Sequence, residues 1–196
     1  MTTLTDIRGR VRSDLSDLDA ATWPDDQIDR HIAHALSDLS LAIPRELSED
    51  IATTAGSRDL DLSALDALIE VEMVEYPIGH YPPCYPGFGT WAQTLILHTD
   101  SPPDGANARV FYTASHVLDE DGSTLPDHLA DVLVTGAAAY AALELAAGVT
   151  NIVTLQPEAS ERYAALARAR QTAFRQLLHT YGRKNRVRQR RLYVPA

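Results

Sequence analysis

LPDHLADVLVTGAAAYAALELAAG, residues 125–148, is the stretch on which the fold is decided. Leu125-Pro126-Asp127 reads as a helix start, and the spacing predicts a helix to about Ala147, ended by Gly148. Gly136, Ala137, Ala138, Ala139, Ala141, Ala142, Ala146 and Ala147 are small, so another backbone can approach closely. Asp131 and Glu144 interrupt the apolar run and argue against a membrane span, because charge at the bilayer centre is costly.

Downstream, Gln156-Pro157-Glu158 opens a fourth helix with proline in its first turn. It is predicted to run to about Tyr181 through Tyr163, Leu166, Phe174, Leu177 and Leu178, with Gly182 ending it. Residues 183–196, RKNRVRQRRLYVPA, have no core-forming pattern.

Upstream, the pattern is different. Residues 51–118 hold many breakers and little helical periodicity. Arg58 to Leu62 alternates like a short strand. Ile69-Glu70-Val71-Glu72-Met73 alternates with one apolar and one acidic face. Residues 77–90, PIGHYPPCYPGFGT, carry four prolines and three glycines and are expected to be an extended loop. Thr94 to His98 and Arg109 to Val117 read as strands, joined through the Ser101-Pro102-Pro103-Asp104-Gly105 turn, where proline presets φ and glycine takes φ > 0. Three to five antiparallel strands are expected.

At the amino end, Leu4, Ile7, Val11, Leu15 and Leu18 recur at helical spacing, so residues 3–18 read as an amphipathic helix. Thr3 and Asp6 resemble a capping signal. After a turn at Asp19 to Thr22, Trp23-Pro24-Asp25 leads into a second helix. Its apolar face is Ile28, Ile32, Ala35, Leu36, Leu39 and Ile43, and Pro44 stops it.

The expected fold is α+β and mainly α. It is a four-helix bundle with a small antiparallel β insertion between helices two and three and an extended basic C-terminal tail. The organisation reads as 1–48 for the first two helices, 49–122 for the insertion with its Tyr/Pro-rich loop, 123–182 for the last two helices, and 183–196 for the tail.

The chain has 196 residues, 45% hydrophobic and 22% charged, which suits a globular domain rather than wholesale disorder. The formal charge of −10 is unevenly divided. The last acid is Glu161; residues 162–196 carry ten bases and no acid, while residues 1–161 carry 27 acids and seven bases. Such polarity favours head-to-tail contact between copies, or contact with a polyanion at one end. The polar amino terminus lacks the apolar segment of a signal peptide.

No catalytic or metal pattern emerges. The one cysteine, Cys84, excludes an internal disulfide framework, and Cys84 with His80 falls short of a metal ligand set. None of the seven histidines belongs to an H-E-x-x-H pattern. His31 and His34 could share a surface with Asp38, but read as exposed helix polars. Asp119-Glu120-Asp121-Gly122 lacks the spaced ligands of an EF-hand and reads as a solvated turn. Gly87-Phe88-Gly89 is too short for a phosphate loop, no phosphate-binding motif exists, and Ser13, Ser40 and Ser115 sit in no nucleophile elbow. No active site and no cofactor are expected.

Two contact regions stand out. The first is the aromatic loop, with Tyr76, Tyr81, Tyr85, Phe88 and Trp91, read either as an assembly loop or as a self-packed surface loop. The second is the tail, where Arg183, Lys184, Arg186, Arg188, Arg190 and Arg191 precede Leu192 and Tyr193. Residues 182–196 could reach about 50 Å when extended. The tail reads as a solvated terminus, as a nucleic-acid contact, or as docking into an acidic groove on a neighbouring subunit; the apolar ending favours protein docking over a purely electrostatic hold on DNA.

Element order and local phrases resemble the head–tail connector (adaptor) proteins of tailed bacteriophages. The resemblance runs through LTDIRGRVRSDLSD, Trp23-Pro24-Asp25, DQIDRHIAHALSDLSLAIP, RDLDL, IEVEMVEYP, TLILHT, PPDG, ARVFYTASHVL and STLPDHLADVLVTGAAAYAAL. It implies a non-enzymatic virion structural protein, forming a ring of about twelve copies under the portal. That ring would extend the DNA channel and provide the tail attachment platform. Implied partners are the portal, a tail or stopper (tail-terminator) protein and passing double-stranded DNA, with no membrane. The implied location is the head–tail interface of the virion, and the host cytoplasm during assembly. In that family the C-terminal segment commonly contacts the portal, a role that would fall on Arg183 to Ala196. The alternative is a nucleic-acid-binding module using the basic fourth helix and tail; the acidic whole and the lack of a DNA-reading motif weigh against it. A small enzyme is a third reading, without a convergent constellation to support it.

Overall fold

A computed structural model of the chain describes residues 2–150 and 157–185. The protein is α+β. Its described elements are four helices, α1 (Leu4–Leu15), α2 (Asp25–Ala42), α3 (Asp127–Thr150) and α4 (Pro157–Asn185), and six strands, β1 (Arg45–Ala52), β2 (Asp59–Asp61), β3 (Leu68–Glu75), β4 (Gly87–Trp91), β5 (Thr94–His98) and β6 (Asn107–Ala114). They divide into a helical unit, Met1–Ile43 with His116–Ala196, and a β unit, Pro44–Ser115.

In the helical unit, α1 begins with the capping box the sequence suggested. The Asp6 amide donates to Thr3 Oγ1 at 3.2 Å, and the Thr3 amide donates to Asp6 Oδ2 at 3.1 Å. The helix stops at Leu15, three residues before the expected end. Ser16 adopts a left-handed conformation at φ 56°, and Leu18 is 73% exposed instead of facing the core. The side chain of Arg12 explains the early stop. It is buried and donates to Asp17 Oδ2 (3.1 Å), the Trp23 carbonyl (2.9 Å) and Asp25 Oδ1 (2.6 Å), so the chain must turn to bring those acceptors in. Burial pushes the Asp17 carboxyl up. The amides of Thr22, Trp23 and Ala21, with the Arg12 guanidinium, outweigh that and hold it below the usual carboxylate range.

Helix α3 packs against α1, α2 and α4. Ile7 and Val11 from α1, Ile28, Ile32, Ala35 and Leu39 from α2, Leu129, Leu133 and Ala137 from α3, and Phe174 from α4 share one core. The small residues of α3 admit a side chain at Gly136, where the sequence suggested a close backbone. A Cβ on Gly136 would lie 2.6 Å from the Phe174 ring, so the glycine is a notch that admits an aromatic. Gly182 does not end α4. A Cβ there would lie 3.0 Å from the Ala42 carbonyl, so this glycine serves a close approach to the end of α2 while the helix continues to Asn185. Gly148 likewise lies inside α3, which continues to Thr150, because it takes no positive φ. By length and composition, Asp127–Gly148 could cross a membrane; 67% of its most apolar window is buried inside the protein, as in a core helix.

The two chain segments that flank the β unit are clasped together. The His116 amide donates to Ser40 Oγ at 3.0 Å, and His116 Nε2 lies 3.0 Å from the Ile43 carbonyl.

The β unit contains two three-stranded antiparallel sheets, ordered β1-β6-β3 and β2-β5-β4. Each turns one face onto a common core of Leu60, Leu62, Leu65, Val71, Val74, Leu95, Leu97, Val110 and Tyr112. Six strands exceed the three to five expected. Residues 45–48, read with the helices, open β1, which pairs with β6 in unbroken register from Arg45↔Ala114 to Ala52↔Asn107. Residues 87–90, read as loop, belong to β4, which forms a hairpin with β5. Strand β6 ends at Ala114, not Val117. The alternation of β3 is real in sequence but broken in space. Register shifts between Leu68 and Glu70 and between Val71 and Met73 leave Val71 buried while Ile69 and Met73 are exposed. The proline turn conforms to its chemistry, with Gly105 at φ 100°.

Candidate interaction surfaces

The aromatic region divides into anchors and outward-facing groups. Tyr76 and Phe88 pack against the β core. The Tyr76 hydroxyl donates to Asp104 Oδ1 at 3.0 Å and accepts from the Asp104 amide at 3.2 Å. The Ala106 amide, then Tyr76, hold the Asp104 carboxyl below its usual range. The Tyr76 amide donates to the Cys84 carbonyl at 3.0 Å, tying the loop back on itself. The peptide bonds Tyr76–Pro77 and Tyr81–Pro82 are cis. Tyr85 is half-buried. Tyr81 and Trp91, in contrast, are 97% and 81% exposed.

Trp91 belongs to a flat surface, the outer face of the β2-β5-β4 sheet. Leu60, Leu95, Leu97 and Phe88 point to the core, so their neighbours along each strand point out. Across the three strands these form the rows Asp61–Thr94–Trp91 and Asp59–Ile96–Gly89, with His98 opposite Gly87 beyond them. Cβ atoms on Gly87 and Gly89 would lie 3.5 Å and 3.7 Å from the His98 ring, in ordinary van der Waals contact with it. Ile96 is 40% exposed, and Asp59 and Asp61 are exposed. Asp61 is held below the usual carboxylate range, first by the Ser63 amide, which donates to its Oδ1 at 2.8 Å. Trp91 stands out in the sequence, but the face it belongs to does not, because β4 does not read as a strand.

The basic region is described only in part. Arg183 and Lys184 lie in the last turn of α4. Arg186, Arg188, Arg190, Arg191, Leu192 and Tyr193 lie outside the described residues. Upstream on α4, Arg168 and Arg175 are exposed, whereas Arg170 donates to the Asp14 carbonyl at 2.7 Å.

The titratable groups singled out in the sequence take structural positions. His31 is buried rather than exposed, with Nε2 2.7 Å from Glu144 Oε2, and Arg30 reaches the same oxygen at 2.5 Å. Burial lowers the His31 pKa, and Glu144 only partly opposes this. His34 stacks on Tyr140 with ring centroids 4.0 Å apart. Tyr140 donates to Asp38 and is pushed up to about 12 by burial and that hydrogen bond. His31, His34 and Asp38 thus tie α2 to α3. Asp119 Oδ1 accepts the amides of Asp121 and Gly122 at 2.9 and 2.8 Å, and Glu120 binds Arg8 at 3.1 Å. Among the described residues, no three His, Cys, Asp or Glu side chains cluster as a metal would require, and Cys84 is exposed without a disulfide.

No family model matches the chain, and no curated protein matches it. Among solved structures, the chain is similar to one from "Neck of native GTA particle computed with C12 symmetry", at 17% identity and TM-score 0.30, over 71% of this chain and 80% of that one.

Proposed function

We propose that this chain is a head–tail connector, a non-enzymatic virion structural protein that forms a ring under a portal, extends its DNA channel and offers the platform for tail attachment. The element order supports the reading: two helices, a strand-built insertion and two further helices, with all four helices sharing one core. In this reading the helices act as a four-helix bundle, and residues 183–196 are a basic tail that grips the portal. The net negative body lines the channel without holding DNA. Tyr81 and Trp91 serve as assembly contacts, while Tyr76, Tyr85 and Phe88 hold the aromatic segment in place.

Removal of residues 186–196 leaves α4 whole and tests the tail directly. The truncated chain is expected to keep its melting temperature and to lose portal binding in a pull-down viewed by negative stain. Wild-type assembly of the truncated chain would refute the docking role. Charge reversal at Arg188, Arg190 and Arg191 should weaken docking most at low salt, where electrostatics are least screened.

The exposed Arg168 and Arg175, on a helix with no acid after Glu161, favour a second reading as a nucleic-acid-binding module. That reading requires affinity for DNA to fall steeply with salt in the isolated protein.

A further inference from the structure

We propose that the outer face of the β2-β5-β4 sheet receives a second copy of this chain, and that the docking element is the arginine-bearing face of that copy's α4. The proposal names the contact that the ring reading needs and rests on that reading.

The sheet face has a definite profile. Asp59 and Asp61 line the β2 edge, Ile96 stands at the centre on β5, and Trp91 rises from β4. Two strand spacings make it about 10 Å across. A helix with its side chains is about 10–12 Å wide, so one helix laid along β5 would cover all three strands. It would cover Ile96, meet Trp91 on one flank and meet the two carboxylates on the other.

Helix α4 carries the complementary profile. At 100° per residue, Arg168 and Arg175 fall on one flank of its exposed arc. Ala169 and Ala173 fall on the other flank, and Ala165 and Thr172 lie between; all are exposed. The alanine flank offers short side chains to the Trp91 ring. The arginine flank faces the Asp59 and Asp61 edge. The two arginines are two turns apart, about 10 Å along the axis, and the carboxylates about 7 Å apart, a difference that flexible guanidinium side chains close. Trp91 supplies the anchor expected of an interface centre.

The two faces are different surfaces of one chain, so the contact is heterologous. Each copy uses its sheet face for one neighbour and its helix face for the next, and the chain of contacts can close by rotation. The acids on the sheet face disfavour nucleic acid and anionic lipid as its occupant.

A charge exchange tests the proposal with the full chain. One variant carries Asp59→Arg with Asp61→Asn, the asparagine preserving the turn that Asp61 makes with Ser63. The other carries Arg168→Glu with Arg175→Glu. Circular dichroism and melting temperature check that both fold as wild type. In sedimentation velocity, wild type is expected to self-associate reversibly. Each variant alone should associate at least about tenfold more weakly. An equimolar mixture should recover wild-type association, because both alternating contacts then pair opposite charges. Trp91→Ala should weaken association by about 30-fold. Unchanged association of either variant, no recovery on mixing, or a wild-type chain that stays monomeric at its highest soluble concentration would overturn the contact. Loss of DNA binding in Arg168→Glu/Arg175→Glu with self-association intact would also overturn it, in favour of a nucleic-acid face. Portal binding distinguishes the two claims. Rings on the portal that tolerate both charge variants would remove this contact and leave the connector reading standing. Charge-exchange rescue without any portal binding would do the reverse.

Discussion

The helical unit and the β unit build their cores differently. In the helical unit, Phe174 sits in the notch left by Gly136 and shares a core with buried Ile, Leu and Ala residues of α1, α2 and α3. In the β unit, each sheet has one face on the core, and the other carries exposed apolar groups: Trp91 and Ile96 on one sheet, Ile69 and Met73 on the other. A helix can surround a core with neighbours on several sides, whereas each of two facing sheets gives the shared core one face only.

Substitutions put that contrast to the test. Phe174→Ala removes the largest fully buried side chain of the helical core and should cost roughly 3–5 kcal/mol, read by chemical denaturation. Arg12→Met should cost about 3 kcal/mol, because it leaves buried Asp17 without its guanidinium. The same pair predicts an acid limb. Asp17 titrates lower in the folded protein than in the unfolded chain, so its contribution is complete above the ordinary carboxylate pKa and is lost as pH falls toward the folded value. Stability followed against pH should show that loss in wild type and a shallower one in Asp17→Asn. Gly136→Ala should cost about 1–3 kcal/mol by driving a methyl into the Phe174 ring. Trp91→Ala should change stability by no more than about 0.5 kcal/mol. A larger loss would mean that the sheet face is structural and would erase the contrast.

The helical half was legible because its signals are local. Thr3 and Asp6 announce the first cap, and Ile28, Ile32, Ala35 and Leu39 recur at helical spacing. The β half was less legible for physical reasons. In β1 the acids Glu46, Glu49 and Asp50 mask the two inward residues Leu47 and Ile51, so no alternation is apparent. In β4, Gly87 and Gly89 read as loop because glycine is depleted in strands; only their pairing with β5 across the hairpin makes them a strand. The bulges of β3 leave Ile69 and Met73 exposed while Val71 stays buried, and nothing in a five-residue pattern reveals a bulge. At the candidate surfaces, the aromatic residues could be named from sequence. Their division into anchors and exposed groups could not, because Tyr76 is fixed by Asp104, 28 positions away. Gly182 misled for a similar reason, since its partner is a carbonyl on α2.

The clasp of His116 onto Ser40 and Ile43 makes the insertion a detachable module. The strands leave and re-enter the helical framework through one narrow gate, so a short linker joining residue 43 to residue 116 should yield a miniature scaffold. By the same logic, foreign hairpins grafted at that gate could change the chain's surface while leaving the helical skeleton undisturbed.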